Sequence, residues 1–117
     1  MIFVIDSDVE MAECVALACV GSGRKVRIFH NAVEAMRALD DEMPELIFLD
    51  ILLTGPDGFS FLNEMISYTD TARVPVVVVS GLDFAGVNLD VYGVVGVLNK
   101  DTMTPEDVKK YVAEFAR

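Results

Sequence analysis

Residues 46–58 read LIFLDILLTGPDG: four apolar residues, a carboxylate, and a loop that closes on Pro56, Asp57 and Gly58. The run Leu46–Leu49 is apolar at every position, not at every second one. A strand with one wet face alternates. A strand that is apolar throughout is covered on both faces, the condition of a parallel sheet packed between helices. Four further apolar runs occur at Ile2–Ile5, Val26–Phe29, Val76–Val79 and Val94–Leu98, most of them continuous and rich in Val and Ile.

The segments between these runs carry helix signals. Val9–Val20 has apolar residues at helical spacing and stops at Gly21 and Gly23. Asn31, with Glu34 three residues on, opens a second helix. Phe59, Phe61, Leu62, Met65 and Ile66 supply the apolar stripe of a third. Asp83–Tyr92 contains Gly86 and is followed by Gly93, which predicts a short or frayed fourth. Thr104, Pro105 and Asp107 form the start of the last. A β-α unit repeated five times predicts an α/β doubly wound three-layer sandwich with a five-stranded parallel sheet and right-handed crossovers. At 117 residues, without linker or repeat, residues 1–117 read as one domain.

Apolar residues make up 53% of the chain, enough to bury a core without metal or disulfide staples. Lys and Arg number 9 against 19 Asp and Glu, a net charge of −10, which disfavours direct contact with nucleic acid or anionic membrane. Asp6 and Asp8 interrupt the apolar N-terminus, so neither a signal peptide nor a membrane span is expected. Cys14 and Cys19 stand about 7.5 Å apart along a helix axis and point different ways. They read as buried or half-buried thiols of a cytoplasmic protein. The six methionines read as core filler, and His30 as a loop residue after the second strand.

Ligands of open parallel sheets bind at the carboxyl ends of the strands. The first run ends in Asp6, Ser7 and Asp8, the third in Asp50, the fourth in Ser80 and the fifth in Asn99 and Lys100. Carboxylates gathered in this way repel one another unless a cation neutralises them. A hard ion such as Mg²⁺ takes oxygen ligands and keeps several waters, so a few carboxylates and a phosphoryl oxygen suffice. With an ammonium and a hydroxyl beside them, such carboxylates suit phosphoryl transfer to a carboxylate nucleophile.

Over nearly its whole length the chain resembles the response-regulator receiver family of two-component phosphorelay signal transduction. Asp6 matches the family's first acid, Asp50 its phosphoacceptor, Ser80 its hydroxyl residue and Lys100 its lysine, and residues 50–58 look like its loop after the acceptor. The resemblance implies a phosphoprotein that signals and is not an enzyme beyond its own aspartyl phosphorylation and dephosphorylation. It implies that Asp50 takes phosphate from the phosphohistidine of a sensor histidine kinase or phosphotransfer protein. Asp6, Asp50 and the Leu52 backbone carbonyl would hold Mg²⁺, while Ser80, the Gly81 N–H and Lys100 would meet the phosphoryl oxygens. Output would pass to a downstream protein or a separate output domain, and the resemblance leaves room for a homodimer.

Three positions depart from the family pattern. Ser7 stands where a second acid ligates the metal, so Mg²⁺ binding is expected to be weak, with Asp6 drawn toward the ion. Asp101 follows Lys100 in place of Pro, so a trans bond is expected there. Val97 replaces the switch aromatic of the fifth strand, and Tyr92 is a poor substitute for it. Asp8 reads as a first-turn acid of the first helix, and Asp57 and Gly58 as the start of the third. These departures support an alternative, a phosphorylation-independent pseudo-receiver that works by binding alone. A second alternative is a haloacid-dehalogenase-type phosphatase with Asp6 as nucleophile and Asp8 as general acid. It is opposed by helix signals that begin at Val9, where those enzymes carry an inserted flap.

Overall fold

In the computed structural model, which describes residues 1–84 and 87–116, the apolar runs become five parallel strands. They are β1 (Ile2–Ile5), β2 (Val26–Phe29), β3 (Leu46–Leu49), β4 (Val76–Ser80) and β5 (Val94–Asn99). The helices are α1 (Val9–Cys19), α2 (Ala32–Leu39), α3 (Gly58–Ile66) and α4 (Pro105–Phe115). Every residue of β1, β3 and β4 is buried because each strand serves two layers. Phe3, Ile5, Ile47, Leu49, Val76 and Val78 pack on the α2/α3 side, with Leu39, Phe61, Leu62 and Met65. Ile2, Val4, Leu46, Phe48, Val77 and Val79 pack on the α1/α4 side, with Ala12, Val15, Val108 and Val112. Side chains alternate across a strand, so two apolar layers require the unbroken runs seen in the sequence.

The strand order is β2-β1-β3-β4-β5. β1 lies between β2 and β3, so the winding reverses beside it and opens a crevice at the carboxyl ends of β1 and β3. The edge strands are wetter. β2 is only partly buried, and β5 alternates after a bulge in which Val95 has no partner between the Val76–Val94 and Val77–Gly96 pairs.

Local chemistry sets the helix ends. Asn31 Oδ1 accepts from the Glu34 N–H, and Asp57 Oδ1 from the Ser60 N–H, both at 2.9 Å. Thr104 and Asp107 form a reciprocal capping box with Pro105 in the first turn. Asp57 and Gly58 are thus the helix start that the sequence implied.

Two expectations change. The fourth crossover holds, among the described residues, a single 3₁₀ turn at Asp90–Tyr92 instead of an α-helix, closed by Gly93 at φ +78°. Tyr92 meets the edge of the Phe59 ring there; Gly86 lies outside the described residues. Cys19 is buried, and burial pushes its thiol up to about 11, but Cys14 is exposed because it faces away from the sheet. Of the six methionines Met65 is buried in the core and Met1, Met11, Met36 and Met103 pack against it partly buried, as core filler should; Met43 alone is exposed. No cis peptide bond occurs among the described residues, so Lys100 and Asp101 are joined in trans. No helix among them is long and apolar enough to cross a membrane.

Candidate functional site

Strand alternation carries the α1/α4-side rows past the strand ends. Ile2 and Val4 lead to Asp6, Leu46 and Phe48 to Asp50, and Gly96 and Leu98 to Lys100. β1 and β3 are neighbours, and the Asp50 N–H extends their ladder by donating to the Ile5 carbonyl at 2.9 Å. The Lys100 N–H donates to the Ser80 carbonyl at 3.1 Å, tying the end of β5 to that of β4.

All four strand ends close in one way. Asp6 Oδ1 accepts from the Asp8 N–H at 2.9 Å, and Asp50 Oδ1 from the Leu52 N–H at 3.2 Å. Ser80 Oγ accepts from the Leu82 N–H at 3.2 Å, and Asn99 Oδ1 from the Asp101 N–H at 2.8 Å. Such side-chain turns fix each rotamer before any ligand arrives.

The second oxygens of the two aspartates converge on one ammonium. Lys100 Nζ lies 3.0 Å from Asp6 Oδ2 and 3.2 Å from Asp50 Oδ2. Asp6 and Asp50 are only 3% and 4% exposed, so two buried carboxylates share the one cation of the half-buried Lys100. Burial, chiefly, pushes the Asp6 carboxyl above its ordinary value, and the charge of Asp50 adds to it; the Asp8 N–H and Lys100 pull the other way. Burial would lower the Lys100 ammonium, but the carboxylates of Asp6 and Asp50 outweigh it and hold the group above its usual range.

Ser80 is fully buried at the end of β4, and a hydroxyl that accepts from the backbone still carries one proton to donate. Gly81 is exposed, with open space where a side chain would stand. Leu52 is exposed, its peptide held against the Asp50 carboxylate. Ser7 is half-buried. Asp8 turns away from the triad to cap α1, its Oδ1 accepting from the Met11 N–H at 3.2 Å.

Two contacts escaped the sequence. The His30 Nδ1–H donates to the Asp6 carbonyl at 2.9 Å and so holds the peptide that carries the first carboxylate. The pairing of Ile5 with Phe29 sets position 30 beside position 6, but that register follows from the strand order alone. Gly58 is the other; its N–H donates to the Ile51 carbonyl at 2.8 Å, clamping the loop after Asp50 onto α3.

Among the described residues no group of three or more His, Cys, Asp or Glu side chains forms a metal cluster. Two buried carboxylates with one ammonium between them still leave uncompensated negative charge. That donor set fits a hard divalent ion completed by backbone, water and phosphoryl oxygens.

The protein-family model described as the response regulator receiver domain matches residues 2–113. The chain is 32% identical over 108 residues to protein-glutamate methylesterase/protein-glutamine glutaminase 2 of Burkholderia thailandensis, covering 88% of this chain and 28% of that protein. It is 29% identical over 99 residues to protein Rrf1 of Nitratidesulfovibrio vulgaris, covering 85% of this chain and 70% of that one. The crystal structure of the receiver domain of NtrX from Brucella abortus superposes with a TM-score of 0.83 at 29% identity, covering 97% of this chain and 95% of that one. The chain therefore spans less than a third of the methylesterase it matches.

Proposed function

Since the chain belongs to the response regulator receiver domain family, we propose that it accepts a phosphoryl group on Asp50 from a partner's phosphohistidine. The observation that carries this reading is the single ammonium of Lys100 set between the buried carboxylates of Asp6 and Asp50.

In the transfer, an Asp50 carboxylate oxygen attacks phosphorus. A P–O bond forms, the P–N bond to the donor imidazole breaks, and the leaving nitrogen keeps the electron pair and takes a proton from solvent. Lys100, released from Asp50 as that carboxylate loses its charge, follows the negative charge onto the phosphoryl oxygens. The Ser80 hydroxyl and the Gly81 N–H take up the remaining ones. Asp6, Asp50 and the Leu52 carbonyl would hold Mg²⁺, which supplies charge neutralisation for the incoming phosphoryl group. Movement of the Ser80 hydroxyl toward phosphate breaks its bond to Leu82, and so alters the start of the fourth crossover. The altered surface signals to a partner protein or output domain in the cytoplasm.

A second reading is a pseudo-receiver that works by binding alone. The neutral Ser7, next to an Asp8 committed to its helix, favours it. The phosphatase alternative loses its general acid for the same reason, since Asp8 caps a helix that begins at Val9.

Mass spectrometry of the protein incubated with Mg²⁺ and acetyl phosphate separates these readings. One added phosphoryl group, lost in Asp50→Ala, is the expected result. A group that survives Asp50→Ala, or none at millimolar Mg²⁺, would overturn the proposal.

A further inference from the structure

Asp40 and Glu64 stand where helix electrostatics disfavours them. Asp40 is the C-cap of α2, and Glu64 lies in the last turn of α3, which holds no basic residue. A helix C-terminus carries about half a negative charge, so each carboxylate is repelled by the helix that bears it. Asp70 adds a third, with one oxygen accepting from the Thr71 N–H at 2.9 Å. The three line a cavity of about 460 Å³ between the ends of α2 and α3, together with Tyr68, which is 56% exposed. Arg37 is the one cation of that lining, and none of these four charged side chains takes part in an ion pair.

The cavity is one end of a longer groove. Met36, Arg37 and Glu64 also bound a second cavity of about 330 Å³, walled by Ala32, Val33, Pro56 and Phe61. Val33 is 44% exposed and Met36 half-buried, so apolar surface is open there. The two helices, 8 and 9 residues long, give the groove a length of about 12 Å. It is apolar where it begins beside the acceptor loop and anionic where the helices end.

We propose that this groove binds a segment of a partner protein that carries two apolar side chains and, one helical turn further on, a lysine or arginine. The apolar pair covers Val33, Met36 and Phe61, and the basic head enters among Asp40, Glu64 and Asp70 against the Tyr68 ring. Charge complementarity selects this occupant. A cation there meets three carboxylates, two helix C-termini and an aromatic face at once. An acidic or purely apolar segment gains only half of the groove. An amphipathic helix spans both halves, because one turn separates Met36 from Asp40 as it separates the partner's own side chains. The proposal is independent of the chemistry at Asp50, and its test requires no phosphoryl donor.

Selection of helix-forming twelve-residue peptides displayed on phage, against the unphosphorylated protein, supplies the probe. Enriched peptides are expected to pair two apolar residues with Lys or Arg three or four positions on. As synthetic peptides they should shift the amide resonances of Val33, Met36, Phe61 and Tyr68 in a ¹⁵N titration. Val33→Glu, and separately Asp40→Lys/Glu64→Lys, should each weaken binding at least tenfold. The double variant places favourable charge at two helix C-termini and should melt above wild type, which separates lost binding from lost fold. A peptide with its basic residue changed to Glu should bind the double variant and not wild type. No enrichment overturns the proposal, as do enriched peptides without a basic residue, or a charge exchange that restores nothing. Resonance shifts on dilution of the protein alone would make a second copy the occupant and overturn it too.

Discussion

Gly58, the first residue of α3, is in backbone contact with Asp50: a Cβ at position 58 would stand 2.7 Å from the Asp50 carbonyl oxygen. It would stand 2.6 Å from the Ile51 Cα as well. Neither atom can rotate aside, so a side chain there must push the acceptor loop off the helix. Gly58→Ala is expected to lower stability by about 1–3 kcal/mol. It should slow uptake from acetyl phosphate at least tenfold, because the nucleophile moves relative to Lys100. Thermal melts and a timed mass-spectrometric assay check both, and a variant matching wild type in the two would show that the loop yields freely.

Lys100→Met leaves two buried carboxylates without their cation and is expected to cost about 3 kcal/mol. Millimolar Mg²⁺ should recover part of that loss by binding the folded state alone. The pH dependence has a definite sign. The folded value of Lys100 is raised, so its stabilisation is fully present below the unfolded value near 10.4 and fades as pH rises through the folded one. Wild type should therefore lose stability above about pH 10 more steeply than Lys100→Met in alkaline denaturant titrations.

Asp6→Asn should stabilise the fold at pH 7, by about 1 kcal/mol. The folded value of Asp6 is raised, so its contribution is favourable below the unfolded value near 3.9 and is lost as pH rises through the folded one. Asn keeps an acceptor for the Asp8 N–H and leaves Lys100 paired with Asp50. The gap between variant and wild type in urea midpoints should widen from pH 4 to pH 7. A constant gap would place the gain elsewhere.

Ser7→Asp adds a third carboxylate at the mouth of the site and should tighten Mg²⁺ binding about tenfold or more. Calorimetric Mg²⁺ titration of both proteins measures it. Equal affinities would mean that position 7 does not face the ion.

Much of this was legible before any coordinates because the strand period is two. Once Leu46–Leu49 is read as a strand covered on both sides, Asp50 must continue the row of Leu46 and Phe48, and the same counting aligns Asp6 with Ile2 and Val4. The helix starts at Asp57 and Thr104 were equally readable, since a cap bonds a backbone group only three residues away.

The tertiary structure decided what depends on partners distant in the chain. That Lys100 bridges Asp6 and Asp50 follows from the strand order and from the reach of one side chain. That His30 steadies Asp6 follows from the β1–β2 register. The exposure of Cys14 depends on which side of α1 meets the sheet, and only Glu10 and Glu13, beside it on the outer face, mark that side in a helix otherwise apolar. The fourth crossover ends in a 3₁₀ turn because Gly93 closes it and Phe59 receives Tyr92, a contact from another element that local propensity does not contain. Local chemistry names the donors and acceptors at each strand end. Only non-local pairing brings the Lys100 ammonium within 3.2 Å of both Asp6 and Asp50, because strand order and register are set by burial across the whole sheet.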